Sequence, residues 1–206
     1  MRSESLKENV EDKLADSFRE LVRKKNPDKI TVREIAEGAG VIRATFYNHF
    51  MDKADLMQYI IREDVIEPVK VLLVNRMYRE AVVLIFRTMK QDEEFFRRAA
   101  RTEKPVPFEE IAYSCIYDLI YDHLKKAGVT RIEHPWLTVR MISELYARII
   151  CYIAMEWIRT GMQVSPEEIG LLFEYIGTKP LWDILAAIER DPSVVNVLSE
   201  PLKTGF

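Results

Sequence analysis

The sequence predicts an all-α protein, and three observations carry that reading. Only seven of the 206 residues are glycine while 48% are apolar, a balance that suits helices packed around a core. No segment sustains the period-two alternation of a half-buried strand, and no Asn-Gly or Asp-Gly pair marks a hairpin turn. Apolar side chains instead recur every three to four residues through most of the chain, the period of an amphipathic helix.

The elements follow in order. Leu6, Val10, Leu14, Phe18, Leu21 and Val22 make one apolar stripe, so a first helix runs up to Asn26-Pro27-Asp28, which stops it. Thr31 caps a short second helix with Val32, Ile35, Ala36 and Ala39 inward, and Glu34 closes a capping box three residues on. Gly38 and Gly40 bracket a turn in which left-handed backbone carries no Cβ penalty. Phe46 and Phe50, four apart, anchor a third helix. Asp52 opens a fourth, with Lys53 in its first turn and Leu56, Tyr59, Ile60 and Val65 inward. Pro68 kinks or divides that helix, because proline lacks the backbone donor and clashes with the preceding turn. The domain boundary is placed there, giving residues 1–67 and 68–206 with a shared helix between them.

Past the boundary the pattern stays helical. One helix covers about 77–91 with Val82, Val83, Ile85, Phe86 and Met89, and a short one carries Phe95 and Phe96. Thr102 to Pro107 reads as a loop. The next helix runs to about Lys126, where Gly128 ends it. Another follows His134-Pro135 and runs to Arg159, with Gly161 as its stop. Ser165-Pro166-Glu167-Glu168 starts one more, with serine as cap and proline in the first position. Pro180 kinks or ends it, and a last helix covers about 181–190.

Composition narrows the function. The N-terminus MRSESLKENVEDK is polar, without the charge-then-apolar pattern of a signal peptide. No apolar run approaches the ~18–20 residues of a membrane span, so a cytosolic protein is expected. Cys115 and Cys151 lie far apart in helical patterns and read as small buried hydrophobes. His49, His123 and His134 form no ligand set with zinc spacing, so neither a metal nor a cofactor is expected. With no glycine-rich phosphate loop and no convergent acid/base set, an enzyme is not expected either. Net charge is −3, yet residues 19–53 hold eight basic and five acidic side chains, a local balance of +3. Such a local excess suits one face that meets phosphates.

The segment from Thr31 to Lys53 says most about function. It reads as two short helices joined by a glycine-containing turn. On the second, Arg43, Thr45, Tyr47, Asn48 and His49 face outward around the two buried phenylalanines. That arrangement places a helix in the DNA major groove. The string Ile35-Ala36, Ala39-Gly40-Val41, Thr45-Phe46-Tyr47-Asn48-His49-Phe50 and Lys53, with the helix before it, spans about forty residues and resembles the TetR family of bacterial transcriptional regulators.

The resemblance implies an N-terminal three-helix helix-turn-helix domain joined by a shared helix to a larger helical effector and dimerisation domain. It implies a homodimer on a pseudo-palindromic double-stranded operator, most often a repressor released by a small molecule. An activator, or a regulator without a small-molecule inducer, is the alternative. It places Arg43, Ala44 and Tyr47 at base edges with Arg33 nearby, and Thr31, Thr45, Asn48, His49 and Lys53 at phosphates. Two positions depart from the family pattern. Ile42 stands where a small hydroxyl residue usually caps the recognition helix, and losing such a cap costs about 0.5–2 kcal/mol. An apolar side chain has the chemistry for a thymine methyl instead. Ala44 replaces a frequent glycine.

The run Glu156-Trp157-Ile158-Arg159-Thr160-Gly161, followed by Ser165 to Ile169, is similar to the end of many effector domains of that family. It implies a long antiparallel helix pair as the dimer interface, through Leu145, Ile149, Trp157, Leu172 and Ile176. Phe86, Tyr113, Tyr117, Tyr121 and Trp136 are the candidate lining of a ligand pocket. The three tyrosines recur every four residues on one helix face and keep polar tips.

Overall fold

A computed structural model describes residues 9–128 and 137–178. All regular elements among them are helical. The start of the first helix around Leu6, the His134-Pro135 helix start, Trp136, Pro180 and the helix expected over 181–190 lie outside the described residues.

Helix α1 (Val10–Lys24) starts at Asn9, whose side chain accepts the Asp12 amide. It buries Leu14, Phe18 and Val22. A 3-10 turn at Pro27–Lys29 leads into α2 (Val32–Gly38), α3 (Arg43–His49) and α4 (Lys53–Ile61). Phe46, Phe50, Leu56 and Ile60 close on the α1 stripe and on Ile35 to make the first part of the core.

Beyond Ile61 the backbone does not continue as one α-helix with a kink at Pro68. It widens into a π turn at Arg62–Ile66, tightens into a 3-10 turn at Glu67–Val69, and resumes as the short α5 (Lys70–Val74). The wide turn lets the Glu67 amide reach back to the Arg62 carbonyl, and the Lys70 amide then bonds Glu67. Pro68 has no amide to offer at this place, so the hydrogen-bond ladder shifts register around it.

The remaining helices are α6 (Tyr78–Gln91), α7 (Glu93–Ala99), α8 (Phe108–Lys126), α9 (Val139–Arg159) and α10 (Pro166–Thr178). One apolar core runs on through Phe86, Phe95, Phe96, Phe108, Ile116 and Met155. α9 lies along α8, and α10 lies along α6. The antiparallel pair expected from the sequence is therefore not the main packing of these two helices within the protomer. Ring contact between Phe173 and Phe86, the buried Ile169, and the Arg79–Glu174 ion pair at 3.5 Å seat α10 on α6 instead.

Ion pairs and hydrogen bonds join the first helices to the rest. Arg19 reaches Asp64 in the wide turn at 2.6 Å, and Arg23 grips Asp92 at 2.6 and 3.2 Å. Asp28 accepts the backbone amides of Glu103 and Lys104 at 3.1 and 3.2 Å, which docks the loop between α7 and α8 beside α2.

Candidate nucleic-acid interface

Thr31 sets the start of α2 as expected. Its hydroxyl accepts the Glu34 amide at 3.3 Å, and the Glu34 carboxylate accepts the Thr31 amide at 2.9 Å and hydroxyl at 2.8 Å. Lys25 also bonds that carboxylate. The Lys25 bond first, then the two Thr31 bonds, pull the Glu34 carboxyl down to about 2.

The turn after α2 is closed by two bonds, Gly40 amide to Glu37 carbonyl at 3.1 Å and Val41 amide to Ala36 carbonyl at 2.9 Å. That pair is a Schellman ending, which needs a left-handed residue, and Gly40 supplies it at φ 70°. Gly38 does not share this duty. It is the last residue of α2, and a Cβ there would lie 2.3 Å from the Ser17 hydroxyl. Gly38 is needed for the close approach of α1, whose Ser17 donates to the Ile35 carbonyl at 2.8 Å.

On α3, Phe46 and Phe50 turn inward in mutual ring contact, and Phe50 meets Tyr59 of α4. Arg43, Ala44, Tyr47 and Asn48 are exposed, whereas Thr45 is half-buried. Arg43 donates to the Tyr47 hydroxyl at 3.1 Å and lies 5.3 Å from the centre of its ring, so the two form one pre-arranged unit. Ile42 precedes the helix in extended backbone and makes no capping bond.

Three other expected contact residues are already engaged within the protomer. His49 places Nδ1 2.6 Å from Glu11 on α1, tying the end of α3 to the start of α1. Arg33 pairs with Glu37 along α2 at 2.7 Å, in full solvent. Lys53 donates to the carbonyls of Pro27 and Asp28 at 3.0 and 3.3 Å. Burial pushes its ammonium below the ordinary lysine value. Lys53 thus braces the turn that leads into α2, a role invisible in its sequence position. The Asp28 contact to the 103–104 amides was likewise missed, because its partners lie some 75 residues away with no local signal.

The four candidate pocket residues that are described do not converge. Phe86 is fully buried against Trp157 and Phe173. Tyr113, Tyr117 and Tyr121 stack as a half-exposed ladder along α8, with Arg148 over the first ring and Lys125 over the last. The cavity inside the helical body lies elsewhere. It measures about 30 Å³ and is walled by apolar groups such as Val65, Met89, Phe96, Phe108, Ile116 and Cys151. An open groove of about 340 Å³ runs outside it, between the wide turn and α8. Both cysteines are buried, which pushes the Cys115 thiol up to about 11 and that of Cys151 up to about 12.

The proposed interface residues divide as well. Leu145, Leu172 and Ile176 are exposed, at 54%, 42% and 41%, and Ile149 is half-buried beside them. Trp157 corrects the expectation. It is 4% exposed, its indole donates to the Val164 carbonyl at 2.7 Å, and its ring stands edge-on to Phe86. Met141, Tyr152 and Leu171 extend the exposed apolar face and were not singled out. No helix among the described residues is long and apolar enough to cross a membrane.

Comparison with known proteins agrees with this geometry. Residues 16–60 match the model for bacterial regulatory proteins of the tetR family, and residues 78–178 match a transcriptional regulator C-terminal region of the same family. The HTH-type dhaKLM operon transcriptional activator DhaS of Lactococcus lactis is 25% identical over 152 residues, covering 72% of this chain and 79% of that protein. Among solved structures, NalD, the secondary repressor of the MexAB-OprM multidrug efflux pump in Pseudomonas aeruginosa, superposes with a TM-score of 0.54 at 19% identity. That match covers 80% of this chain and 93% of NalD. Thermus thermophilus FadR, a transcriptional repressor in complex with lauroyl-CoA, gives 0.54 at 19% identity over 82% of this chain and 95% of its own. These two structures agree in fold with the present one. With both of its halves matched by models of one family, the chain belongs to the TetR family of bacterial regulatory proteins.

Proposed function

We propose that this chain works in the cytoplasm as a repressor, binding a pseudo-palindromic operator as a homodimer and leaving it when a small organic molecule enters the helical body. The observation that carries the DNA-binding half is α3 itself: two buried phenylalanines fix a seven-residue helix whose outer side presents Arg43, Ala44, Tyr47 and Asn48. A guanidinium held by a tyrosine hydroxyl and ring suits bidentate bonding to guanine O6 and N7. Thr31, Thr45 and Asn48 take phosphates with Arg33 near the base edges, and His49 and Lys53 brace α3 and the turn before α2 close to the DNA backbone.

The homodimer reading is supported by the exposed apolar face around Leu145, Ile149, Leu172 and Ile176, with Trp157 supporting it from beneath. Two-fold symmetry then sets the two α3 helices one helical turn of DNA apart, or a multiple of that. The effector enters the helical body beside the apolar cavity, which at about 30 Å³ has to widen roughly tenfold to admit an organic molecule. Its entry shifts the wide turn after α4, and with it the spacing of the recognition helices.

A second reading, transcriptional activator, is favoured by the likeness to DhaS, an operon activator. The test has two stages. The purified chain is offered a pool of random duplexes, and an enriched inverted repeat is expected. The position of that repeat in the native promoter, with transcription measured in vitro, then separates the readings. Overlap with the polymerase site and a fall in transcript support repression. An upstream site and a rise support activation. Failure to enrich any duplex removes both.

A further inference from the structure

We infer that Ile42 reads the 5-methyl group of one thymine in each operator half-site, making a methyl contact part of this chain's sequence preference. This rests on the operator-binding reading above.

Ile42 is 72% exposed, in extended backbone immediately before α3. Its carbonyl accepts the Thr45 amide at 2.9 Å, so the backbone carrying the side chain is held by the helix. In the free protein the residue is costly twice over: it offers no oxygen to cap the first turn, and it leaves a branched apolar side chain in water. Folding explains neither cost among the described residues, which leave the side chain 72% exposed.

The helix-turn-helix geometry brings residues at the leading end of the second helix to base edges. The contact here is made by a side chain, and its chemistry is selective. An isoleucine has no hydrogen-bonding group, so a phosphate or a polar base edge pressed against it would lose water and gain nothing. The thymine 5-methyl group is the apolar feature that a major-groove edge offers. Next to it, Arg43 is held by the Tyr47 hydroxyl and ring. That rigid pair sets the register at which Ile42 lands and takes the hydrogen-bonding duty for an adjacent base pair.

The test uses the full chain and an operator enriched from a random duplex pool. Each thymine of one half-site is replaced in turn by uracil, which removes the methyl group alone. At one position the wild-type chain is expected to lose about fourfold in affinity, the worth of burying one such group. For Ile42→Ala the same replacement has no effect. Ile42→Val keeps a branched apolar tip and retains the penalty, which separates loss of the contact from any folding defect. A thymine whose methyl penalty is unchanged in Ile42→Ala, or the absence of any methyl-sensitive thymine, overturns the inference while leaving operator binding intact. Failure to enrich any duplex overturns the operator reading, and this inference with it.

Discussion

The outer side of α3 and the outer side of α9 and α10 are similarly open to solvent and chemically opposite. On α3, Arg43, Tyr47 and Asn48 present donors, and the large apolar side chain of Ile42 stands at their leading edge with the small Ala44 beside it. On α9, Leu145 and Met141 are exposed, and on α10 so are Leu171, Leu172 and Ile176, all of them aliphatic or thioether side chains. Exposure alone therefore does not define a partner. A face of donors is stable in water and improves against a polyanion. An aliphatic face gains only by excluding water, as it does against a second apolar surface. The core beneath α3 is rigid and aromatic, which keeps the donors in place, whereas the α9–α10 face needs only shape.

The largest effect is expected where the apolar face receives charge. Leu145→Glu with Leu172→Glu puts two carboxylates into a two-fold interface, so each is felt twice. An unpaired buried charge costs about 3–5 kcal/mol. Sedimentation should show monomers with unchanged helical content, because both leucines are exposed on the protomer. Persistent dimers would move the interface elsewhere and collapse the contrast drawn above.

Phe46→Ala attacks the other side of the comparison from within. The ring is fully buried beneath α3. Its removal should cost about 3–5 kcal/mol in denaturant unfolding. Operator affinity should fall while dimerisation survives. Equal loss of both would mean that the two surfaces are not independent.

Arg43→Ala should cost about 1–3 kcal/mol at one base pair and relax preference there, as read by binding to single-substitution operators. Tyr47→Phe keeps the ring and removes only the hydroxyl that Arg43 donates to. It should cost less and blur the same position. A uniform loss across all sequences would reassign Arg43 to phosphate contact.

The smallest effect concerns the brace behind α2. Glu34 is held at about 2 by Lys25 and Thr31, below its unfolded value of 4.5. A carboxyl lowered on folding adds stability above the unfolded value and loses it as pH falls through the folded one. Acid should therefore weaken the protein between about pH 4.5 and pH 2, and Glu34→Gln should flatten that slope. An unchanged slope would show that the capping box contributes nothing through its charge.

How much was legible depended on how local the cause was. The Thr31 capping box, the left-handed Gly40, the Gly161 stop and the Ser165-Pro166 start all appear as read, because each involves residues within a few positions. The bare start of α3 at Ile42 was legible for the same reason. Trp157 was misplaced because helical period tells which residues share a face and not which neighbour covers it. Phe86 and the α8 tyrosines are not brought to one place, on the same ground: one faces α9 and α10, and the others form a half-exposed ladder along α8 with Arg148 of α9 over its first ring.

By itself the sequence determined the helical class, most element limits, the turn between α2 and α3, and the set of side chains that α3 shows to solvent. These follow from periodicity, capping and glycine backbone freedom, which act over a few residues. Only the tertiary structure decided that Lys53 turns to the Pro27 and Asp28 carbonyls, that Gly38 serves a close helix crossing, and that α10 lies on α6. The ladder break around Pro68 also took its form there, as a wide turn followed by a tight one. Each of these depends on which surfaces meet after the chain has collapsed, and burial is a property of the pair of surfaces, not of either segment alone.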